Sequence, residues 1–176
     1  KVADYLVFNI YKDETQMEAD IWSTYVKYAY AHYKNKMSKK NIDKRFSSNP
    51  KESARTYVIE NVYQTPSYRP QIGDAINMGP MEALNDDYEQ FELEFFMPMW
   101  RKIIEKGGLR MWGLARVKSS SDNAYKNLTH FVFQNPTGME YTFDESTFIE
   151  QKVQEMGVAS RKMYEMAEME IIFLAN

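Results

Sequence analysis

The chain has no cysteine among its 176 residues. That absence removes disulfides, thiolate metal sites and cysteine nucleophiles together, and it leaves reducing and oxidising compartments equally open. Histidine is almost as scarce. His32 and His130 are the two, they stand far apart, and neither has a second histidine or carboxylate at metal-ligand spacing, so no metal and no cofactor is expected. The seven glycines never gather into a phosphate-binding loop, and no serine sits in a nucleophile elbow. Missing too is any apolar run near the roughly 20 residues that span a bilayer. With a formal net charge of −3, the chain has no broad attraction for nucleic acid or an anionic membrane, and neither partner is expected.

What is present points to architecture more than to chemistry. Hydrophobic residues at 44% and charged residues at 27% are ordinary for a globular protein, so a filled core is expected. Thirteen tyrosines, three tryptophans and twelve methionines supply aromatic and adaptable apolar volume for that core, for an interface or for an aromatic-lined pocket. The first residue is Lys1 rather than methionine, which reads as a processed or trimmed product, and a periplasmic location is weighed slightly above a cytoplasmic one.

The most legible stretch is 91–135. Phe91, Phe95, Met99 and Ile103, beside Phe96, Trp100 and Ile104, recur at the three-to-four spacing of a helical stripe. Gly107-Gly108 stops the helix. Residues 109–117 and 127–134 then read as strands around the turn-forming run 119–123. Upstream, 75–81 reads as a strand, with Asn85 or Asp86 capping the helix. Downstream, 135–138 is a turn, 144–166 a helix interrupted at Gly157, and 170–174 a last strand. The order β-α-β-β-α-β over 75–176 predicts an α+β, ferredoxin-like module, an antiparallel sheet with two helices on one face.

The first third is read against that module. Residues 3–11 suggest a strand, and Asp13, Glu14 and Thr15 the polar break before a helix. The helix over 17–36 carries a wide aromatic stripe that includes Trp22, Tyr25, Tyr28 and His32, with His32 expected in the core. Residues 39–50 are polar and loop-like, and 54–64 begins helical and ends β-prone. Residues 65–74 hold two prolines and a glycine and read as a linker. A thin internal repeat aligns 4–11 with 127–134 and Ser53-Ala54-Arg55 with Ala159-Ser160-Arg161. Residues 1–64 are therefore expected to be a partial module, its closing strand-helix-strand half, and 75–176 a complete one.

Pro98-Met99-Trp100, Gly107, Trp112-Gly113-Leu114 and Arg116-Val117 carry a resemblance. With Glu92 and Phe96 one turn apart ahead of them, this part of the chain resembles the dimeric α/β-barrel superfamily. The likeness is to bacterial tandem proteins of unassigned function related to antibiotic-monooxygenase and EthD-like domains. It covers 75–176, and 1–64 by inference, with Phe96 standing where a tryptophan is expected. The resemblance implies two sheets packed face to face, from two chains or from tandem modules, and a cavity between sheet and helices that takes small apolar ligands. Cofactor-independent oxygenases of the superfamily activate the substrate itself, which makes Trp100, Trp112 and His130 the candidates by resemblance.

The residues themselves allow sharper and blander readings. Glu92, Phe96 and Trp100, at i, i+4 and i+8, place a carboxylate beside two rings on one stripe, a pocket base or else a surface glutamate next to core aromatics. Trp112 alternates with Arg110, Leu114 and Arg116, a face of rings and cations suited to an anionic aromatic ligand, though such arginines are commonly solvated or paired. His130 shares a strand face with Leu128 and Val132, as a general base or as a hydrogen-bonded core histidine. The basic run Lys34, Lys36, Lys39, Lys40, Lys44 and Arg45 reads as a solvated helix end, and the sequon Asn127-Leu128-Thr129, set in a strand, is given no role. No residue is assigned a catalytic role. The expected function is a ligand-binding or assembly module with no established reaction. A small cofactor-free or haem-linked monooxygenase of an aromatic compound is the alternative, and a subunit of a larger envelope complex the second. The expected partner is another copy or another protein docked on helix 17–36, or a small apolar ligand.

Overall fold

The structure, a computed structural model, describes residues 6–18, 27, 30–47 and 54–174. The chain divides into two compact units, Lys1–Ala54 and Arg55–Asn176. In the first, α1 (Glu14–Glu18) begins where Asp13 suggests: Asp13 Oδ1 accepts the Gln16 amide at 2.8 Å, satisfying a donor of the first turn, while Gln16 Oε1 reaches back to accept the Lys12 amide at 2.6 Å. Residues 6–11, expected as a strand, join no ladder; β-prone side chains make a strand only beside another that will pair with them. Half of the expected aromatic helix 17–36 lies outside the described residues, and 30–33, near its end, is helical. His32 is exposed there rather than in a core, with Nε2 3.1 Å from Lys36 Nζ and its ring edge-on to Tyr33. The loop-like stretch after it contains α2 (Lys39–Ser47), whose start Ser38 caps by accepting the Asn41 amide at 3.4 Å. Lysine is a good helix former, so a polar run with a serine cap suffices, with Ile42 buried among the described side chains.

The second unit is built on a six-strand antiparallel sheet of β1 (Tyr57–Gln64), β2 (Ala75–Ala83), β3 (Leu109–Ser120), β4 (His130–Pro136), β5 (Arg161–Met163) and β6 (Ala167–Glu170). The spatial order is β1-β3-β4-β2, and β5 and β6 share the outer side of β2, opposite 81–83 and 75–78 respectively. From β2 onward this order is compatible with the ferredoxin-like arrangement. β1, read from sequence as the closing strand of the 1–64 module, pairs with β3 and lies in the second unit. Residues 54–56, expected to start a helix, have none.

Between β2 and β3 runs one helix in three parts, α3 (Tyr88–Phe91), a π segment (Glu92–Phe96) and α4 (Met97–Glu105). Asp87, not Asn85 or Asp86, stands at its start. Its end follows the glycine signal. Gly107, at φ +85°, takes the left-handed conformation, and the Gly108 and Gly107 amides donate to Ile103 and Ile104 carbonyls at 3.0 Å, the Schellman closure. A side chain at Gly108 would strike Tyr141, whose Cδ1 lies 2.6 Å from an ideal Cβ.

The last helix, α5 (Phe148–Ala159), starts at Thr147, which forms a capping box with Glu150. It therefore begins later than expected, runs through Gly157 without interruption and stops before Ser160. The strand expected over 170–174 is displaced accordingly to β5 and β6, and 171–174 is irregular.

The alternation of side chains splits the core by sheet face. On the helix face, Met81, Tyr88, Trp112, Leu114 and Val132 form a buried cluster with Leu93, Met97, Trp100 and Ile104 packed against it. On the opposite face Met78 and Phe131 pack with Leu128, and Ile76 and Met111 with Tyr68. Leu128, expected to share His130's face, thus sits in the loop before β4 and covers the other one.

Candidate functional site

Arg116 and His130 are direct cross-strand partners of β3 and β4, and the sequence placed both on faces of interest. The structure joins them through Glu89, the second residue of α3. Arg116 donates from Nε and Nη2 to the two Glu89 oxygens, each at 2.5 Å, a bidentate fork. His130 Nε2 lies 2.8 Å from Glu89 Oε1 and Nδ1 lies 2.9 Å from Thr129 Oγ1. Arg116 also donates to Glu60 on β1 at 3.1 Å, and Lys118 Nζ stands 3.6 Å from the same carboxylate. A chain of alternating charge therefore runs from β1 across β3 to the start of the helix and ends on a buried imidazole.

Electrostatics fix the protonation states along it. The Arg116 fork holds the Glu89 carboxyl down at about 2, against the opposing pull of burial and with help from His130, and the same contact raises Arg116. Burial pushes His130 below its ordinary value, more strongly than Glu89 pulls it up. Near neutral pH, an ionised Glu89 only accepts, so Nε2 carries the imidazole proton and the bare Nδ1 accepts from the Thr129 hydroxyl. Thr129 Oγ1 also accepts the Ala83 amide at 2.7 Å. The order hydroxyl, imidazole, carboxylate has the outline of a nucleophile relay, but the hydroxyl oxygen is half-buried and already bonded to backbone, which suits a brace between β2 and β4.

Tyr88 connects this chain to a second group. Its ring lies 4.6 Å from the His130 ring, its hydroxyl donates to Met81 Sδ at 2.9 Å, and burial raises it far above a normal phenol. Arg161, at the start of β5, lowers Tyr88 from the other side by its charge. Arg161 is paired with Glu92 and stacks over the Phe96 ring at 4.2 Å from its centroid. Glu92 is 1% exposed, so neither a solvated glutamate nor an open pocket base describes it: it is half of an internal ion pair. Burial lowers Arg161 from its ordinary range, and its Nε has no acceptor.

The three-residue stripe Glu92, Phe96, Trp100 does not converge. The π segment adds a residue to the turn, and Glu92 and Phe96 meet Arg161 while Trp100 meets the rings of Phe143 and Tyr141, at 5.4 and 6.4 Å. Trp112 is 1% exposed, 5.6 Å from the Tyr63 ring, and its indole N–H lacks an acceptor. Arg110, expected beside Trp112, instead pairs with Asp74, which also accepts from the Tyr68 hydroxyl at 3.0 Å. Two hollows among the described residues of the second unit bear on these positions. One, of about 70 Å³, lies between α4 and 143–150 and is lined by Phe95, Met99, Lys102 and Asp144. The other, a wide depression of about 520 Å³ by Gly73, Asn77 and Glu168, holds no ring apart from Pro136. Neither is lined by Glu92, Phe96, Trp100, Trp112, Arg116 or His130.

Sequence reasoning missed Glu89, Tyr88, Thr129, Arg161 and Glu60. Two signals were available: Glu89 is an acid in the first turn of the helix, and Arg161 follows the Ser160 that ends α5. Among the described residues no group of three or more histidines or carboxylates could hold a metal, and no helix is long and apolar enough to cross a membrane. In comparisons with known proteins, no family model, no curated protein and no solved structure matches the chain.

Proposed function

We propose that this chain is an assembly module of the dimeric α/β-barrel type, working through its surfaces and without a reaction of its own. One observation carries the reading: the space between helix and sheet, where a substrate would sit, is occupied by Met81, Tyr88, Trp112, Leu114 and Val132. The polar groups at its edge support it, since His130, Glu89, Arg116, Glu92 and Arg161 are engaged with one another. A binding site would keep such groups aimed at an empty space. Exposed apolar side chains on α5, Phe148, Ile149 and Met156, supply the surface that association needs.

A small monooxygenase of an aromatic compound is the second reading, favoured by one feature, the unpartnered indole N–H of Trp112. The test sets the two against each other. Oxygen uptake is followed with a panel of aromatic hydroquinones, and the mass of the native chain is measured in solution. Self-association with no uptake above buffer is the expected result. Uptake that disappears in Trp112→Phe, with the fold retained, would replace assembly by catalysis.

A further inference from the structure

Helix α5 turns most of its surface to solvent. Phe148 is 72% exposed, Ile149 73% and Met156 60%, whereas Gly157 is pressed against Phe96. With 3.6 residues per turn, Phe148, Lys152, Glu155 and Ala159 fall on one outward stripe opposite Gly157, and Ile149 and Met156 run along its flank. Thr147 and Glu150 fix the first turn through their capping box, so the stripe is held in place. Apolar side chains this open, Phe148 on the stripe with Ile149 and Met156 on its flank, mark a contact surface.

The charges on the stripe select the occupant. Lys152 and Glu155 are 54% and 65% exposed and pair within the chain at 2.7 Å. An antiparallel second α5, placed so that Phe148 meets Ala159, brings Lys152 opposite Glu155 and sets Ile149 beside Met156 along the shared flank. Because a two-fold axis repeats every contact, this pairing sets ring on methyl twice and cation on carboxylate twice, with no like charges opposed. The sequence of the helix is complementary to itself in that register.

We infer that α5 is a two-fold antiparallel interface, and that its partner is a second copy of this chain. The inference rests on the reading of the chain as an assembly module and names the surface that does the assembling.

Sedimentation velocity of the full chain over a wide concentration range tests it, with circular dichroism to confirm that each variant is folded. Wild type is expected to dimerise. Lys152→Glu and Glu155→Lys are each expected to weaken the dimer by about tenfold or more, since each turns both attractions into repulsions. The double exchange K152E/E155K restores the pairing with its polarity reversed, and dimerisation is expected to return. A dimer indifferent to both single reversals would overturn the role of α5 and leave the assembly reading intact. A chain that stays monomeric throughout would overturn the α5 interface, and the oxygen-uptake measurement then decides separately whether the chain is an enzyme.

Discussion

His130 couples this fold to pH, and the direction follows from its surroundings. The groups that face it are the carboxylate of Glu89 from α3, the Tyr88 ring beside it, the Thr129 hydroxyl from its own strand and, behind Glu89, Arg116 from β3. Its proton affinity in the fold is below the ordinary value of 6.5, so the unfolded chain binds the proton more readily. Stability from this group is complete above that value and is lost as pH falls through it toward the folded value. Glu89 adds a second, lower window, from its ordinary 4.5 down to about 2. Thermal midpoints measured from pH 8 downward should therefore decline in two stages, and His130→Gln, which keeps a donor toward Glu89, should flatten the upper one. Glu92 and Arg161 give a test by a different route. Arg161→Leu strands a buried carboxylate and should cost about 3–5 kcal/mol in urea unfolding, whereas E92M/R161L together should cost much less. Of these residues the sequence pointed to His130, Arg116 and Glu92 because alternation and helical spacing assign faces. It could not pair them. Glu89 meets Arg116 only because β3 lies under the helix start, and Arg161 meets Glu92 only because α5 ends where it does.

The helix from Tyr88 to Glu105 owes its unusual middle to the same contacts. A straight α-helix would continue one stripe from Phe91 to Ile103, but the π segment rotates the register, so Glu92 and Phe96 face Arg161 while Ile103 is still buried. α5 completes the arrangement at Gly157, where an ideal Cβ would lie 2.7 Å from Phe96 Cε2 and 3.4 Å from Phe91 Cβ. The Phe96 ring has Arg161 stacked on it, so it cannot swing away freely. Gly157→Ala should then lose stability despite better helix propensity, because overpacking of about 1–3 kcal/mol outweighs a gain of about 1 kcal/mol. In a Phe96→Leu background the sign should reverse, and denaturant midpoints would show it. Strands β2, β3 and β4 and the Gly107-Gly108 stop were legible because period and turn chemistry are local. The same glycine rule misread Gly157 as a break, since glycine there answers a tertiary approach. The capping box at Thr147 was a local signal passed over, and with the helix start misplaced, every later boundary moved with it.

Two compact units divide the chain near Ala54, and the division has a consequence for folding. Both apolar layers of the sheet, the Glu60 to His130 chain, the Glu92 pair and all six strands lie between Arg55 and the end of the chain. About 120 residues is an ordinary size for an independent domain, and among the described residues the strand that β1 pairs with is β3, of the same unit. Residues 55–176 expressed by themselves should unfold in one cooperative transition, and near-UV dichroism from Trp100 and Trp112 should be retained. The first unit offers a contrast, since among its described residues Ile42 is the one fully buried side chain. If 55–176 instead gave a non-cooperative transition with the near-UV signal lost, the sheet would be shown to depend on residues before it. That outcome would revive the sequence reading in which β1 belongs with the first third of the chain and the boundary falls in 65–74.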